Sequence, residues 1–100
     1  MEIRFKTKKL EKQYINHKEA QKVYGQAVAK KYMMRINTIK AAKCFDDLYA
    51  ISPLKFHPLV GDRKGEYAIS LTGFYRLIIT NDGETFDIAK IEEVSKHYED

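Results

Sequence analysis

The spacing of apolar residues changes along the chain, from a helical period in the first half to strand alternation in the second. Residues 2–6 alternate, with Ile3 and Phe5 on one side and charged residues on the other, which predicts a short half-buried strand. From Leu10 onwards apolar residues recur every three or four positions, which predicts helices.

Capping residues mark the ends of the predicted helices. Thr7 stands where it can cap the first helix, and Asn16 and Glu19 are spaced as a cap and its third residue. We therefore expect the helix to break and restart near Asn16, and Gly25 to end it or to form a joint. A second helix is predicted over about residues 26–43. Its apolar stripe consists of Val28, Tyr32, Ile36 and Ile39.

The second half of the chain favours strands joined by tight turns. A short helical turn over residues 44–50 is followed by Ser52-Pro53, which breaks it. The predicted strands cover residues 66–71, 74–80 and 85–91. The triplet Asn81-Asp82-Gly83 is a strong hairpin signal before the last of them. Residues 94–100 are predicted to form a short polar tail.

The predicted order is β-α-α-β-β-β, with the helices first and consecutive hairpins afterwards. This order favours the α+β class, with an antiparallel β-sheet and the N-terminal helical hairpin packed on one face. One hundred residues are the size of a single domain, so we expect residues 1–100 to form one. The other face of the sheet would be open, and we expect function there.

Composition limits the classes of function. The chain has 18 Lys and Arg against 14 Asp and Glu, and the basic residues dominate its first half. A cationic surface suits a phosphate backbone or an acidic protein partner. No apolar run approaches a membrane span, and the N-terminal residues lack the apolar core of a signal peptide, so a soluble cytoplasmic protein is expected. Cys44 is the single cysteine, which excludes an internal disulfide.

Chemically reactive side chains concentrate in one stretch, residues 57–76. It starts with a histidine before a proline, passes through a basic loop bounded by glycines, and ends in a strand with an arginine. The groups collected are one imidazole, three cations and two aromatic rings: His57, Arg63, Lys64, Arg76, Tyr67 and Tyr75. Such groups hold and react with a phosphodiester. The alternative is an ordinary solvated hairpin with a charged loop, as on many protein surfaces.

RNA cleavage without a metal ion needs proton-exchanging groups and fixed cations. A base takes the proton of the attacking 2′-hydroxyl, an acid protonates the leaving 5′-oxygen, and cations meet the charge on the phosphoryl oxygens. The candidates for proton exchange are His57, Lys96, His97 and Tyr98. Those for holding phosphate and RNA are Arg76, Arg63 and Lys64, with Tyr67, Tyr75 and Phe74 as stacking surfaces. No metal-ligand spacing or phosphate-binding glycine motif is present, and no cofactor is expected.

Three stretches carry a resemblance to a known family: MEIRFKTKKLEK at the start, Tyr24-Gly25 mid-chain, and HPLVGDRKGEYAISLTGFYRLII later. Over essentially the whole chain they resemble the HigB branch of the RelE/ParE toxin superfamily, the plasmid maintenance system killer proteins. The most specific part is H-P-L-x-G-D-R-x-G followed by a Tyr-Arg strand. The resemblance implies a small α+β toxin of a type II toxin–antitoxin pair.

The resemblance also implies roles for individual residues. His57 matches the family's active-site histidine, and Arg76 matches its phosphate-facing arginine. The chain departs from the family at its end, where Asp-Tyr-His is replaced by Lys96-His97-Tyr98, and at Val60, where many members have a basic residue.

The function implied is a ribosome-dependent mRNA endonuclease that inhibits translation. Its expected partners are the ribosome, mRNA and a helix-turn-helix antitoxin of the HigA type, and the toxin alone is expected to be a monomer. Two alternatives stay open. One is a non-enzymatic inhibitor of the gyrase-poisoning ParE type. The other is a degenerate toxin that acts as an antitoxin-binding module, which the altered chain end motivates.

Overall fold

A computed structural model describes residues 1–83 and 88–96 of the chain. Within these residues a five-stranded sheet carries helices on one face, and the α+β class is confirmed. The strands are β1 (Glu2–Phe5), β2 (His57–Pro58), β3 (Glu66–Ser70), β4 (Tyr75–Asn81) and β5 (Ile88–Lys96). The α-helices are α1 (Lys8–Ile15), α2 (His17–Tyr24) and α3 (Gln26–Ala41). Short 3₁₀ turns cover Phe45–Ala50, Ser52–Leu54 and Gly61–Arg63.

The helix boundaries follow the capping residues. The Thr7 hydroxyl accepts a hydrogen bond from the Leu10 amide at 3.1 Å, and the Asn16 side chain accepts one from the Lys18 amide at 3.1 Å. The predicted break at Asn16 is therefore confirmed. Gly25 joins α2 to α3 with φ at +83°, a left-handed value that favours glycine. No helix in the described ranges is long and apolar enough to cross a membrane.

The hydrophobic core lies between the helices and one face of the sheet. The predicted stripe of α3 is buried, with Tyr32, Ile36 and Ile39 fully so. Alternate strand residues meet it: Ile69 in β3, Leu77 and Ile79 in β4, and Ala89 and Ile91 in β5. This period of two fixes which side chains of each strand turn away from the helices.

The sheet order is β1-β5-β4-β3-β2. All pairs are antiparallel except β1 with β5, which run parallel in the register Ile3 to Ala89. The predicted antiparallel sheet is confirmed for the other pairs, and β1 with β5 is the exception. Local sequence could not reveal it, because β1 pairs with a strand more than 80 positions away in the chain.

Strand β5 corrects a second prediction. Residues 94–96 belong to the strand and pair with β4, as in Tyr75 to Lys96, so they are not a polar tail. Ile78 pairs with Glu93 and Ile79 pairs with Ile91, which leaves one extra residue in β5, a β-bulge. The bulge changes which residues of β5 face the core. The strand therefore does not show one continuous alternation of apolar and polar residues in the sequence. The predicted residues 85–87 and 97–100 lie outside the described ranges.

Tyr32 gives a test of the core. Its buried hydroxyl donates to the carbonyl oxygen of Leu10 at 2.7 Å, and burial raises the pKa of its phenol. Tyr32→Phe is expected to lower the free energy of unfolding by about 1 kcal/mol at neutral pH, since one buried hydrogen bond is lost. Urea unfolding measures this value.

The same residue predicts a pH dependence. The raised pKa means that its stabilisation is complete below about pH 10, the value for an unfolded tyrosine, and is lost as pH rises towards the folded-state value. The wild type should therefore lose more stability between about pH 10 and 11 than Tyr32→Phe does. Tyr14→Phe, which removes an exposed bond to Asn37, is the control. Equal losses in the wild type and Tyr32→Phe would contradict the assignment.

Candidate active site on the open face of the sheet

The sheet face turned away from the helices, the helix-free face, brings His57 and Arg76 to one region. His57 in β2 pairs with Ala68, and Arg76 in β4 pairs with Ser70 of the intervening strand β3. Arg76 lies on the opposite side of β4 from the buried Leu77. Two strand spacings, about 10 Å, separate β2 from β4. Both side chains are long enough to reach a phosphodiester placed between them.

A concavity of about 430 Å³ opens at this point. Its lining residues are Lys55, His57, Ala68, Ser70, Gly73, Phe74, Tyr75 and Arg76. They supply two cations, an imidazole, two hydroxyls and two aromatic rings. The volume lies within the usual range of small-molecule sites. Over residues 1–83 and 88–96, no group of three or more His, Cys, Asp or Glu side chains is placed to hold a metal ion.

His57 is exposed, and a main-chain bond fixes its ring. Its Nδ1 lies 2.7 Å from the carbonyl oxygen of Lys55. A carbonyl oxygen only accepts, so this contact is a hydrogen bond in the tautomer that carries the proton on Nδ1. The second ring nitrogen, Nε2, can then accept a proton, or donate one when the ring is cationic.

Arg76 is supported by the rigid centre of the sheet. The next three residues of β4, Leu77, Ile78 and Ile79, have no exposed surface. Strands β3 and β5 flank Arg76 with Ser70 and Ser95. A guanidinium on such a strand is better fixed than one on a loop, and its planar fork suits phosphate oxygens.

Phe74 lies at the tip of the turn that joins β3 to β4. The Tyr75 amide donates to the Thr72 carbonyl at 2.9 Å, and Gly73 takes a left-handed φ of +56°. The turn presents the Phe74 ring at the rim of the concavity with 56% of its surface exposed. Phe74 is therefore the more accessible stacking surface of the Phe74–Tyr75 pair.

Tyr75 and Lys96 are brought together beside the concavity. The two residues pair between β4 and β5, and the Lys96 ammonium lies 5.7 Å from the centre of the Tyr75 ring. Tyr75 lines the concavity and also packs against the core. The other two candidates from the chain end, His97 and Tyr98, lie outside the described residues.

The structure separates Tyr67 from this group. It lies on the helix side of β3, where its ring stacks on Phe56 at 5.1 Å between centroids and meets the edge of Phe45 at 5.3 Å. A base in the concavity could not stack on it from there. The sequence prediction selected Tyr67 with Tyr75 because both are aromatic strand residues, although the alternation of residues 66–71 already places Tyr67 on one face with Ile69 and Leu71.

Arg63 forms ion pairs with two carboxylates on the helix-free face. Its Nε donates to Glu66 at 2.5 Å and its Nη2 donates to Glu93 at 3.2 Å, so the guanidinium spans β4 from β3 to β5. The hydrogen bond with Glu66, and then the charge of Glu93, raise the pKa of Arg63. Two carboxylates thus offset a charge that the sequence assigned to phosphate binding. The neighbouring Lys64 is exposed at the edge of the loop.

Sequence reasoning did not select Lys55 or Ser70 as site residues. Lys55 comes two residues before the histidine, and Ser70 stands opposite Arg76 in the register. The position of Ser70 could have been found from the hairpin, by pairing outward from the turn at Thr72-Gly73. Nothing local in the sequence indicates that the main chain of Lys55 turns towards His57.

No family model matches the chain, and no curated protein sequence matches it. Some solved structures are similar to the chain. One is a YoeB/ParE toxin from Agrobacterium tumefaciens, with a TM-score of 0.65 and 18% identity over 98% of this chain and 100% of that one. Another is a YoeB–YefM complex from Staphylococcus aureus, with a TM-score of 0.63 and 18% identity over 98% of each chain. The chain shares its fold with these proteins. At this identity the likeness concerns the fold alone.

Two arginines of the helix-free face, Arg63 and Arg76, give a matched pair for testing the site. A 2′-deoxydinucleotide, which cannot be cleaved through a 2′-hydroxyl, should bind in the concavity and shift the amide signals of residues 70–76. Arg76→Gln should weaken this binding by about tenfold or more, because a charge-assisted hydrogen bond is lost. Arg63→Gln should change it by less than about threefold, because Glu66 and Glu93 already offset that charge. NMR titration measures both affinities, and equal losses would refute the distinction.

Proposed function

We propose that this protein is the toxin of a type II toxin–antitoxin pair, a HigB-like endoribonuclease that cleaves mRNA on the ribosome and acts in the cytoplasm. The observation that carries the proposal is the concavity in which His57 and Arg76 line the same helix-free face. The fold shared with YoeB/ParE toxins supports the toxin assignment. The resemblance of residues 57–79 to the HigB branch supports the choice of RNA as substrate.

The mechanism we infer uses side chains and no metal ion. The 2′-oxygen of the nucleotide attacks phosphorus and forms a 2′,3′-cyclic phosphate, while the bond from phosphorus to the 5′-oxygen breaks. His57 exchanges one of the two protons, taking it from the 2′-hydroxyl or giving it to the 5′-oxygen. Lys96, His97 or Tyr98 exchanges the other. Arg76 stabilises the charge that grows on the phosphoryl oxygens.

Substrate binding uses the rest of the concavity. Lys55 adds a second cation to the lining, and Phe74 at the rim offers an exposed ring to an adjacent base. Tyr75 supports Lys96 through its ring face. Lys64 and the lysines of the helices contact the RNA backbone of message and ribosome. Arg63 shapes this surface through its bridge to Glu66 and Glu93 and contributes little charge to RNA binding.

A protein antitoxin is the partner we propose for the toxin outside the ribosome. One of the similar structures is described as a YoeB–YefM complex. For this chain the resemblance to the HigB branch favours a helix-turn-helix antitoxin of the HigA type. Alone, the toxin is proposed to be a monomer.

A gyrase inhibitor of the ParE type is the second candidate, because one of the similar structures is described as a YoeB/ParE toxin. The endoribonuclease and the gyrase inhibitor require different side chains at the concavity. A gyrase inhibitor acts by binding and has no use for an imidazole beside a guanidinium in a phosphate-sized concavity. A degenerate toxin, the third candidate, would keep the fold and bind the antitoxin but cleave nothing.

Expression of the chain without its antitoxin should stop growth and cut translated messages. His57→Gln and Arg76→Gln should each reduce cleavage by at least about 10²-fold, since each removes a proton-exchanging or charge-stabilising group. Arg63→Gln is the matched control and should stay toxic. Primer extension on an induced message measures the cuts, and the upstream fragments should end in a 2′,3′-cyclic phosphate.

The alternatives give different outcomes in the same experiment. Growth arrest with intact messages and DNA damage would replace the proposal with gyrase inhibition. Normal growth in a host with sensitive ribosomes would replace it with the degenerate toxin. Full cleavage by both His57→Gln and Arg76→Gln would refute the mechanism.

A further inference from the structure

We propose that Lys55 is a positioning residue whose main chain fixes His57 in the tautomer that carries its proton on Nδ1. The nitrogen that exchanges protons with a molecule in the concavity is then Nε2. The catalytic meaning of this arrangement rests on the proposed function. The tautomer itself can be tested without any activity.

The bond between His57 and Lys55 is suited to a group that gains and loses a proton. The Nδ1–H group donates to the Lys55 carbonyl oxygen at 2.7 Å. This bond persists whether the ring is neutral or cationic, because Nδ1 carries a hydrogen in both forms. Only Nε2 changes its proton, so the ring keeps its orientation while it accepts and releases one.

The carbonyl of Lys55 reaches His57 because Lys55 has an unusual backbone conformation. Its φ and ψ are 50° and 40°, the left-handed region, and among the described residues it is the sole non-glycine residue with positive φ. This conformation is disfavoured for a residue with a side chain and persists only where the surroundings enforce it. Lys55 also closes the 3₁₀ turn, with its amide donating to Ser52 at 3.1 Å.

Buried neighbours hold Lys55 in this conformation. Leu54 before it is fully buried and Phe56 after it is 7% exposed. Phe56 is wedged between aromatic rings, stacked on Tyr67 at 5.1 Å and edge-on to Tyr49 at 4.7 Å between centroids. Because both flanking side chains are anchored, the peptide between them has little freedom to turn.

Arg35 of α3 forms hydrogen bonds with two main-chain segments beside the concavity. Its Nε donates to the carbonyl oxygen of Ser70 at 2.9 Å, and its Nη2 donates to the carbonyl oxygen of Pro53 at 3.3 Å. Pro53 belongs to the turn before Lys55, and Ser70 stands opposite Arg76. The guanidinium thus fixes the segment that carries His57 relative to the strands that carry Arg76.

A matched pair of variants separates the main chain of Lys55 from its charge. Lys55→Asn and Lys55→Val both remove the ammonium, but asparagine tolerates the left-handed region and a β-branched valine does not. Imidazole ¹⁵N spectra at about pH 9, where histidine rings are neutral, report the tautomer. The ring signals of His57 are assigned by their loss in His57→Gln.

The expected result is the Nδ1–H tautomer for His57 in the wild type and in Lys55→Asn, and a mixture of tautomers in Lys55→Val. An Nε2–H ring in the wild type, or an unchanged tautomer in Lys55→Val, would overturn the inference. If Lys55→Val does not fold, Lys55→Ala and Lys55→Gly form the replacement pair on the same principle, because glycine adopts the left-handed region readily.

Cleavage assays then connect the tautomer to the reaction. Lys55→Val should cleave at least about tenfold more slowly than Lys55→Asn, and the unfolding midpoints of the variants measure any loss of stability separately. Equal cleavage by the two variants would overturn the positioning role. A wild type that cleaves nothing would refute the proposed function instead, while the spectra would still decide whether Lys55 sets the tautomer.

Discussion

The burial of alternate residues in β4 determines what the rest of the molecule can do. Leu77 and Ile79 pack β4 against the helices. Because side chains alternate along a strand, Arg76 points to the helix-free face. A slip of one residue in register would bury Arg76 and expose Leu77, at the cost of an uncompensated charge in the core. The hydrophobic register of the sheet therefore also sets the position of the guanidinium.

Electrostatics divides the helix-free face into two parts. In one part Arg63 is offset by Glu66 and Glu93, and the fully buried Ile78 lies in the strand that this bridge spans. In the other part Lys55 and Arg76 line a concavity whose lining, among residues 1–83 and 88–96, includes no Asp or Glu. Two cations that line one concavity attract an anion, so the second part is the better site for phosphate. The net basic charge of the chain matters less than this local arrangement.

Much of the scaffold could be predicted from the sequence because its signals are local. Asn16 and Gly25 mark the helix joints through capping and positive φ, and the stripe of α3 follows from its apolar period. The features missed depend on distant partners. The parallel pairing of β1 with β5 and the bulge opposite Ile78 arise only when the sheet assembles, and the aromatic cluster that draws Tyr67 into the core involves three separate segments.

The candidate site also combines residues that the local sequence predicts with features that depend on distant parts of the chain. His57 and Arg76 could be selected because their residue types carry the chemistry and only one strand, β3, lies between their strands in the sequence. The contribution of Lys55 lies in its backbone angles, which the buried side chains of Leu54 and Phe56 and the bonds of Arg35 enforce. No residue type marks such a role.

The site on the helix-free face is tested most directly by the structure of this protein on a ribosome whose message carries a 2′-deoxynucleotide at the proposed cleavage position. We predict a phosphodiester in the concavity, with its phosphoryl oxygens bound by Arg76 and the His57 Nε2 about 3 Å from the 2′-position or the 5′-oxygen. A message that instead follows the helices or the loop at Lys64, with nothing between His57 and Arg76, would contradict it.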